Sequence, residues 1–174
     1  MTEAVKTTRS GAVLVATVDN PPVNALGVAV RADLKAAIEA AEADPAVQAV
    51  LIVGAGRAFI AGADIREFGK PPQAPSLPEV CRTIELCSKP VVAALHGPAL
   101  GGGLEIALSA HYRVALPGSK LGLPEVQLGL IPGSGGTQRA PRLAGIQASV
   151  ELMLSGRHIG AEEAVKLGLV DRVG

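Results

Sequence analysis

Aromatic residues and net charge are both scarce in this sequence of 174 residues. Tryptophan is absent, aromatic residues make up 2% of the chain, and 16 basic residues balance 16 acidic ones to a formal net charge of +0. Proteins that bind single-stranded nucleic acid stack bases on aromatic side chains, and those that bind duplexes or anionic membranes present a basic surface. The composition therefore predicts neither a nucleic-acid partner nor a membrane partner.

Cysteines and long apolar runs are also few. Cys81 and Cys87 match neither a zinc motif nor a disulfide framework, so we expect reduced thiols. No run of about 18 apolar residues suggests a transmembrane helix. Residues 1–10 are polar and lack the apolar core of a signal peptide. Together these absences predict a cytoplasmic protein.

Apolar and turn-forming residues, in contrast, are abundant. The chain is 48% hydrophobic, with 21 glycines and 13 prolines, and it is long enough for one domain with a sizeable core. Apolar β-branched runs alternate with helical stripes, which indicates βαβ-type units and an α/β fold. The predicted strands cover 12–18, 47–53, 90–96, 112–116 and 169–173; the predicted helices cover 27–44, 77–88, 138–143, 146–154 and 161–167. Residues 121–126 are expected to be irregular.

One glycine-rich stretch combines several unusual features. Gly101, Gly102 and Gly103 end a hydrophobic run and open a helix, expected to be amphipathic, with Glu105 in its first turn. Glycine lets the backbone approach a ligand closely, and first-turn N–H groups have no partner within the helix. The helix dipole there also favours negative charge. A carboxyl group at this point could carry out proton chemistry beside a site that stabilises an anion.

Two acidic residues lie in apolar surroundings. Glu105 has apolar neighbours on most faces of its helix, and Glu125 is the only charged residue in 121–130. A buried carboxyl group requires a partner or a function. Both residues are candidates for catalysis, and both could instead cap backbone N–H groups. The glycine pattern itself favours neither a dinucleotide site nor a P-loop, because the spacing of both motifs is missing.

The sequence does not decide the roles of the basic residues. Arg66, just after the turn at 61–63, could contact a phosphate or be solvated. Arg113, Arg139 and Arg142 are most simply surface or helix-end charges. The three histidines are scattered without the spacing of metal ligands, so we expect structural or surface roles for them and no metal site.

Six segments together resemble the enoyl-CoA hydratase/isomerase family, also called the crotonase superfamily. They occur in the family's order and at its spacing, and jointly they are highly specific although each alone is weak. The segments are 24–26, 59–65, 89–97, 100–105, 123–126 and 130–139. The sequence around 96–105 and 116–142 is most similar to the hydratase/isomerase half of multifunctional fatty-acid oxidation enzymes.

The resemblance implies a fold and an anion site. The family folds as a spiral of ββα units, so an α/β crotonase-like spiral is expected here. Its oxyanion hole consists of two backbone N–H groups, which fall on Ala63 and Gly102 by motif position. These groups would hold the thioester oxygen of an acyl-CoA as it becomes an enolate, and such donors typically contribute about 10²–10³-fold in rate.

The resemblance also implies the reaction. Two glutamates of family hydratases hold the water that adds to a trans-2-enoyl-CoA to give a 3-hydroxyacyl-CoA, and they match Glu105 as the base and Glu125 as the acid. Gly133 matches the glycine whose backbone lies near the catalytic water. Retention of both acids favours hydration, with Δ3/Δ2-enoyl-CoA isomerisation by Glu125 as an alternative activity.

Substrate binding is implied along the loop at 61–66, with CoA carried by the substrate and no separate cofactor. The expected substrate-binding residues are Ala25, Ala61, Ala63, Asp64, Ile65, Arg66 and Gly102.

The resemblance further implies how the domain is built. Family domains end in helices that cover the acyl pocket and build homotrimers or hexamers, whereas this sequence ends before those helices. Residues 1–174 are therefore expected to form a single domain without them. The alternative to an enzyme is a fragment that binds CoA without catalysing a reaction.

Overall fold

The computed structural model describes residues 3–174. Nine strands and six helices alternate along this range. The strands are β1 (Val5–Ser10), β2 (Val13–Val18), β3 (Ala49–Gly54), β4 (Val91–Leu95), β5 (Pro98–Leu100), β6 (Tyr112–Ala115), β7 (Lys120–Gly122), β8 (Ile159–Gly160) and β9 (Arg172–Val173). The helices are α1 (Val28–Ala43), α2 (Leu77–Glu85), α3 (Gly102–Ser109), α4 (Gly136–Ala144), α5 (Ile146–Ser155) and α6 (Ala161–Lys166). Two 3₁₀ turns cover Ile65–Glu67 and Pro124–Leu128.

The strands form two sheets. The larger has the order β1-β2-β3-β4-β6-β9, and all its pairs are parallel except the β1–β2 hairpin. The smaller has the order β5-β7-β8, with β5 parallel to β7 and β8 antiparallel to it. An isolated parallel bridge joins Ile60 to Ala99 of β5, so the segment after β3 runs beside the smaller sheet. Successive turns of the chain thus add a strand to each sheet, as in a ββα spiral.

The helix at the triple glycine is buried on every side. All eight residues of α3, from Gly102 to Ser109, are buried. The amphipathic helix predicted from the sequence is therefore wrong, because α3 packs against both α2 and α4 and has no solvent face. Its small residues make this possible: a Cβ added to Gly103 would lie 2.0 Å from the main-chain oxygen of Ile60. Glu105 is therefore buried together with the rest of its helix.

Several other predictions needed correction. β1 was not predicted, because its residues after Val5 are polar and exposed and pair only with β2 at the sheet edge. The stretch at 121–126, predicted to be irregular, contains part of β7 and of a 3₁₀ turn. Arg113 is 4% exposed rather than a surface charge, and its Nη2 lies 2.8 Å from an oxygen of Asp171. This ion pair links β6 to the segment before β9.

Both cysteines are free and buried. Burial raises the pKa of the Cys81 thiol to about 12, so this thiol is protonated at neutral pH. Over residues 3–174, no helix is both long and apolar enough to cross a membrane. The same residues contain no group of three or more histidines, cysteines or acids that could hold a metal ion.

Candidate active site

A cavity of about 260 Å³ lies beside the N-terminus of α3. Its wall contains four of the predicted site groups: the carboxyl groups of Glu105 and Glu125 and the backbone at Ala63 and Gly102. The other lining residues are Ala61, Gly62, Ile65, Phe68, Leu77, Pro124, Leu128, Leu130, Ile131, Gly133 and Ser134. The lining is thus mainly apolar, with polar groups converging at one place.

Two residues of this wall bring their main-chain N–H groups close together. A Cβ added to Gly102 would lie 3.8 Å from the main-chain nitrogen of Ala63, so the two residues are immediate neighbours. The first hydrogen bond of α3 is from the Glu105 N–H to the Gly101 oxygen at 3.0 Å. Within residues 3–174, the N–H groups of Ala63 and Gly102 donate to no protein acceptor. Two unpaired N–H donors beside a cavity can bind an oxyanion.

The segment that carries Ala63 is held by Asn24 and Leu26. The Nδ2 of buried Asn24 lies 2.8 Å from the oxygen of Ala58 and 3.1 Å from that of Phe59. Leu26 donates its N–H to the Gly62 oxygen at 2.9 Å and forms a parallel bridge with Ala63. These bonds position the Ala63 N–H without any contribution from its own side chain.

Glu105 is 2% exposed and is anchored through one carboxyl oxygen. Its Oε1 accepts the N–H of Ser134 at 2.7 Å and the N–H of Gly136 at 2.8 Å. Gly136 begins α4, so the carboxyl group caps that helix, and both the N–H groups and the helix dipole stabilise negative charge on Oε1. The hydrogen bonds among residues 3–174 leave Oε2 without a donor. Capping, left open by the sequence, is confirmed for this residue.

Glu125 is held differently, in the 3₁₀ turn at Pro124–Leu128. Its Oε2 is buried and has no hydrogen-bond partner in the described part of the chain. Burial, followed by repulsion from Glu105, raises the pKa of Glu125 from 4.5 to about 7, although its own main-chain amide opposes the shift. Glu125 can therefore hold a proton near neutral pH, and the neighbouring charge of Glu105 adds to the effect of burial.

Gly101 allows the backbone to pass close to Glu125. Its φ of +52° is a conformation that favours glycine, and a Cβ added there would lie 3.3 Å from Glu125 Oε1. The glycine thus keeps the space between the start of α3 and the second carboxyl group open.

The predicted substrate-binding residues separate into two groups. Ala61, Ala63, Ile65 and Gly102 line the cavity, as does Gly133. Ala25, Asp64 and Arg66 do not belong to this lining. The positions of the first group are compatible with the predicted site, and their roles remain predictions.

The Arg66 side chain is solvated, as one of the two alternatives left open by the sequence expected, and it pairs with Asp64. Its side chain is 76% exposed, and its Nη2 lies 2.7 Å from Asp64 Oδ2. Asp64 also accepts the Arg66 N–H at 3.0 Å and so caps the 3₁₀ turn. The salt bridge lowers the pKa of Asp64. An anion that approaches Arg66 would share this guanidinium with the aspartate.

Sequence reasoning missed one residue beside the site, Arg139. Its side chain is 14% exposed, so the predicted surface charge is wrong for this residue, whereas Arg142 on the same helix is exposed as expected. A useful signal was available, because Arg139 follows the glycine-rich turn at 133–136 by less than one helical turn.

The fold and this site define a class of protein: an α/β spiral in which two backbone N–H donors and a pair of carboxyl groups line one cavity. Such an arrangement can stabilise negative charge on an oxygen while protons move to and from neighbouring atoms. The family model described as enoyl-CoA hydratase/isomerase matches residues 8–174. The chain belongs to the enoyl-CoA hydratase/isomerase family.

Individual relatives agree with this assignment. The peroxisomal bifunctional enzyme of Danio rerio is 55% identical over 157 residues, which are 90% of this chain and 22% of that protein. The probable enoyl-CoA hydratase of Bacillus subtilis (strain 168) is 46% identical over 165 residues, 91% of this chain and 64% of that protein. The crystal structure of an enoyl-CoA hydratase from Bacillus anthracis superposes with a TM-score of 0.92 at 33% identity, covering 98% of this chain and 70% of that one.

The chain therefore shares the crotonase fold of solved hydratases, and it spans about a fifth of the Danio rerio protein and about two thirds of the Bacillus subtilis one.

Proposed function

We propose that this chain is an enoyl-CoA hydratase, which adds water to a trans-2-enoyl-CoA to give a 3-hydroxyacyl-CoA in fatty-acid β-oxidation or related acyl-CoA metabolism. The observation that carries the proposal is the meeting of two unpaired N–H donors and two carboxyl groups in one cavity wall. The relatives named as enoyl-CoA hydratases support it.

The N–H groups of Ala63 and Gly102 bind the thioester oxygen. Addition at C3 moves electrons of the C2=C3 bond towards this oxygen, which becomes an enolate. Because the donors are fixed in the backbone before substrate arrives, they stabilise this charge without reorganisation. No side chain is needed at either position, which explains the small residues found there.

The carboxyl groups move the protons. Glu105 removes a proton from water as the water oxygen bonds to C3, and Glu125 gives its proton to C2 as the enolate collapses. The raised pKa of Glu125, about 7, suits it to the role of the acid. Proton transfer between the two carboxyl groups, or exchange with solvent, restores the starting state. Gly133, in the cavity wall, leaves room for the water.

The acyl-CoA substrate supplies coenzyme A itself, so the proposal requires no separate cofactor. The acyl chain would contact the apolar part of the cavity wall, where Phe68, Leu77 and Leu128 lie. The segment at 61–66 would lie along the pantetheine and adenine, with Asp64 and Arg66 at its outer end.

One observation favours a second activity, Δ3/Δ2-enoyl-CoA isomerisation. A carboxyl group with a pKa of about 7 can both take and give a proton near neutral pH. Glu125 could therefore shuttle a proton between C4 and C2 of a 3-enoyl-CoA while the same N–H pair holds the dienolate oxygen. This reaction does not require Glu105.

A crotonyl-CoA hydration assay tests the proposal. Loss of the enoyl absorbance should accompany turnover by the 174-residue chain and by Glu162→Gln, a control in an exposed acid of α6. Absence of turnover by a folded chain that still binds CoA would support a non-catalytic CoA-binding fragment instead. A folded chain that neither hydrates crotonyl-CoA nor binds CoA would contradict the proposal that its substrate is an acyl-CoA.

Three organisational features stay proposals. Residues 1–174 form one domain, the family's homotrimer or hexamer is the expected assembly, and the location is cytoplasmic. Sedimentation of the purified chain tests the assembly. Imaging of the tagged protein tests the location, and a peroxisomal signal would contradict it.

A further inference from the structure

The guanidinium of Arg139 bonds to the same glycine-rich turn, at 133–136, that anchors the carboxyl group of Glu105. Arg139 belongs to α4, yet its Nη1 turns back and donates to the main-chain oxygen of Ser134 at 2.9 Å. Its main-chain N–H donates to the Gly135 oxygen at 2.8 Å. Arg139 therefore holds the turn with both its backbone and its side chain.

Glu85 fixes the other edge of the same guanidinium. Nε and Nη2 of Arg139 donate to the two carboxyl oxygens of Glu85 at 3.1 and 2.8 Å. This fork-shaped pairing is geometrically specific, because a lysine ammonium lacks the planar pair of N–H groups that matches the two carboxyl oxygens. Glu85 is the last residue of α2, so the pair connects that helix to the turn.

The turn is shaped to receive the guanidinium. A Cβ added to Gly135 would lie 2.1 Å from Arg139 Nη1, so any larger residue would displace it. Gly135 has a φ of +101°, a backbone conformation that residues other than glycine rarely adopt. The absence of a side chain at Gly135 therefore provides the space that the Arg139 guanidinium occupies.

Ser134 is consequently held from both sides. Its carbonyl accepts from Arg139, and its N–H donates to Glu105 Oε1 at 2.7 Å. Gly136 supplies the second N–H to the same oxygen. The chain of contacts runs from Glu85 through Arg139 and Ser134 to the carboxyl group of Glu105.

We propose that Arg139, clamped by Glu85, is a positioning residue that sets the direction of the Glu105 carboxyl group through the turn at 133–136. The clamp keeps two N–H groups on Oε1, so that Oε2 stays directed to the cavity and to water. The inference rests on the proposed hydration, in which Glu105 is the base. A merely structural role would stabilise the fold and leave the geometry of Glu105 unaffected.

Arg139→Lys and Glu85→Gln test the clamp, and Arg142→Ala is the control, because in the described part of the chain the Arg142 side chain hydrogen-bonds only to Gln138 within α4. Misplacement of a reacting group by about 1 Å can cost on the order of 10²-fold in rate, so we expect kcat for hydration to fall about 10- to 100-fold in both clamp variants. KM should change little, because neither residue lines the cavity. The control should match the wild type.

A double-mutant cycle separates positioning from stability. If Arg139 acts through Glu105, then adding Arg139→Lys to Glu105→Gln should lower kcat by no more than about twofold. If Arg139 only stabilises the fold, the losses in kcat caused by Arg139→Lys and by Glu105→Gln should instead multiply in the double mutant. Equal losses in both backgrounds, or unchanged kcat in Arg139→Lys, would overturn the proposal.

Amide hydrogen exchange tests the clamp without requiring turnover. Arg139→Lys should speed exchange in peptides that contain Ser134 and Gly136, whereas exchange in α1 and in Arg142→Ala should remain as in the wild type. Unchanged exchange at this turn would contradict the anchoring even if the protein hydrates no enoyl-CoA. A wild-type chain without hydration but with the expected exchange would contradict only the proposed function.

Discussion

Oε1 of Glu105 lies 2.8 Å from the main-chain nitrogen of Gly136, the first residue of α4. The residue proposed to activate water is thus also the cap of a neighbouring helix. One oxygen anchors the turn, and within residues 3–174 the other has no hydrogen-bond donor, as the proposed role in activating water requires. This division explains how a carboxyl group that is 2% exposed can be both held firmly and kept available.

Glu105→Gln should separate the two proposed reactions. A glutamine can still accept the N–H of Ser134 but cannot remove a proton from water, so hydration should fall by about 10²–10⁴-fold. Isomerisation should partly persist, because it uses Glu125. Loss of the charge at the start of α4 should cost about 1 kcal/mol of unfolding free energy. Full hydration activity in this variant, measured with crotonyl-CoA, would refute the assigned role.

The activity of Glu125 should depend on pH near neutrality. Its pKa is about 7, so the protonated form that donates to C2 is present below pH 7 and is lost above it. We expect kcat/KM for hydration to fall by about tenfold per pH unit on the alkaline side. Glu125→Gln should lose both reactions. A flat profile from about pH 6 to about pH 9 would argue against Glu125 as the acid.

The same pKa shift makes a prediction about stability. In the folded state Glu125 titrates near 7, whereas its ordinary value is 4.5, so between these values the folded state binds more protons than the unfolded state. This group therefore stabilises the fold most at low pH, and its contribution is lost as pH rises through 7. Relative to the wild type, Glu125→Gln should gain in Tm between pH 4.5 and pH 7. A Tm difference between the two proteins that does not change with pH would contradict the raised pKa of Glu125.

Two substitutions at Gly102 together measure how much its N–H group contributes to the rate. Alanine and proline add a Cβ at the same place, 2.7 Å from the flexible Cδ2 of Leu77, but only proline removes the N–H. Gly102 is the first residue of α3, a position where proline fits the helix. We expect Gly102→Pro to be slower than Gly102→Ala by about 10²–10³-fold in kcat. Equal rates would exclude this donor from the oxyanion site.

Alanine should lower the stability of the fold at Gly103 and leave it unchanged at Gly133. A Cβ at Gly103 would lie 2.0 Å from the Ile60 main-chain oxygen, whereas at Gly133 the nearest atom is 3.9 Å away. Because a main chain must move in the first case, Gly103→Ala should lose about 3 kcal/mol or more of unfolding free energy. Gly133→Ala should keep the stability of the wild type. Urea unfolding measures both, and equal midpoints would contradict the packing of α3.

Much of the fold could be predicted from local pattern. The parallel strands β3 and β4 were recognisable because buried strands are continuously apolar, and α1 because its apolar residues follow a helical stripe. β1 was missed because an edge strand with polar residues carries no such pattern. The burial of α3 was missed because short apolar side chains do not reveal how many neighbours a helix has.

The sequence by itself determined which groups are present: glycines where backbones meet, Glu105 in the first turn of α3, and an isolated acid at Glu125. Only the tertiary structure decided what these groups face. Ala63 and Gly102 are 39 positions apart in the chain, and their N–H groups become neighbours because the segment after β3 lies beside β5. Hydrogen-bond partners, burial and pKa values depend on distances between remote segments, and a local pattern does not contain those distances.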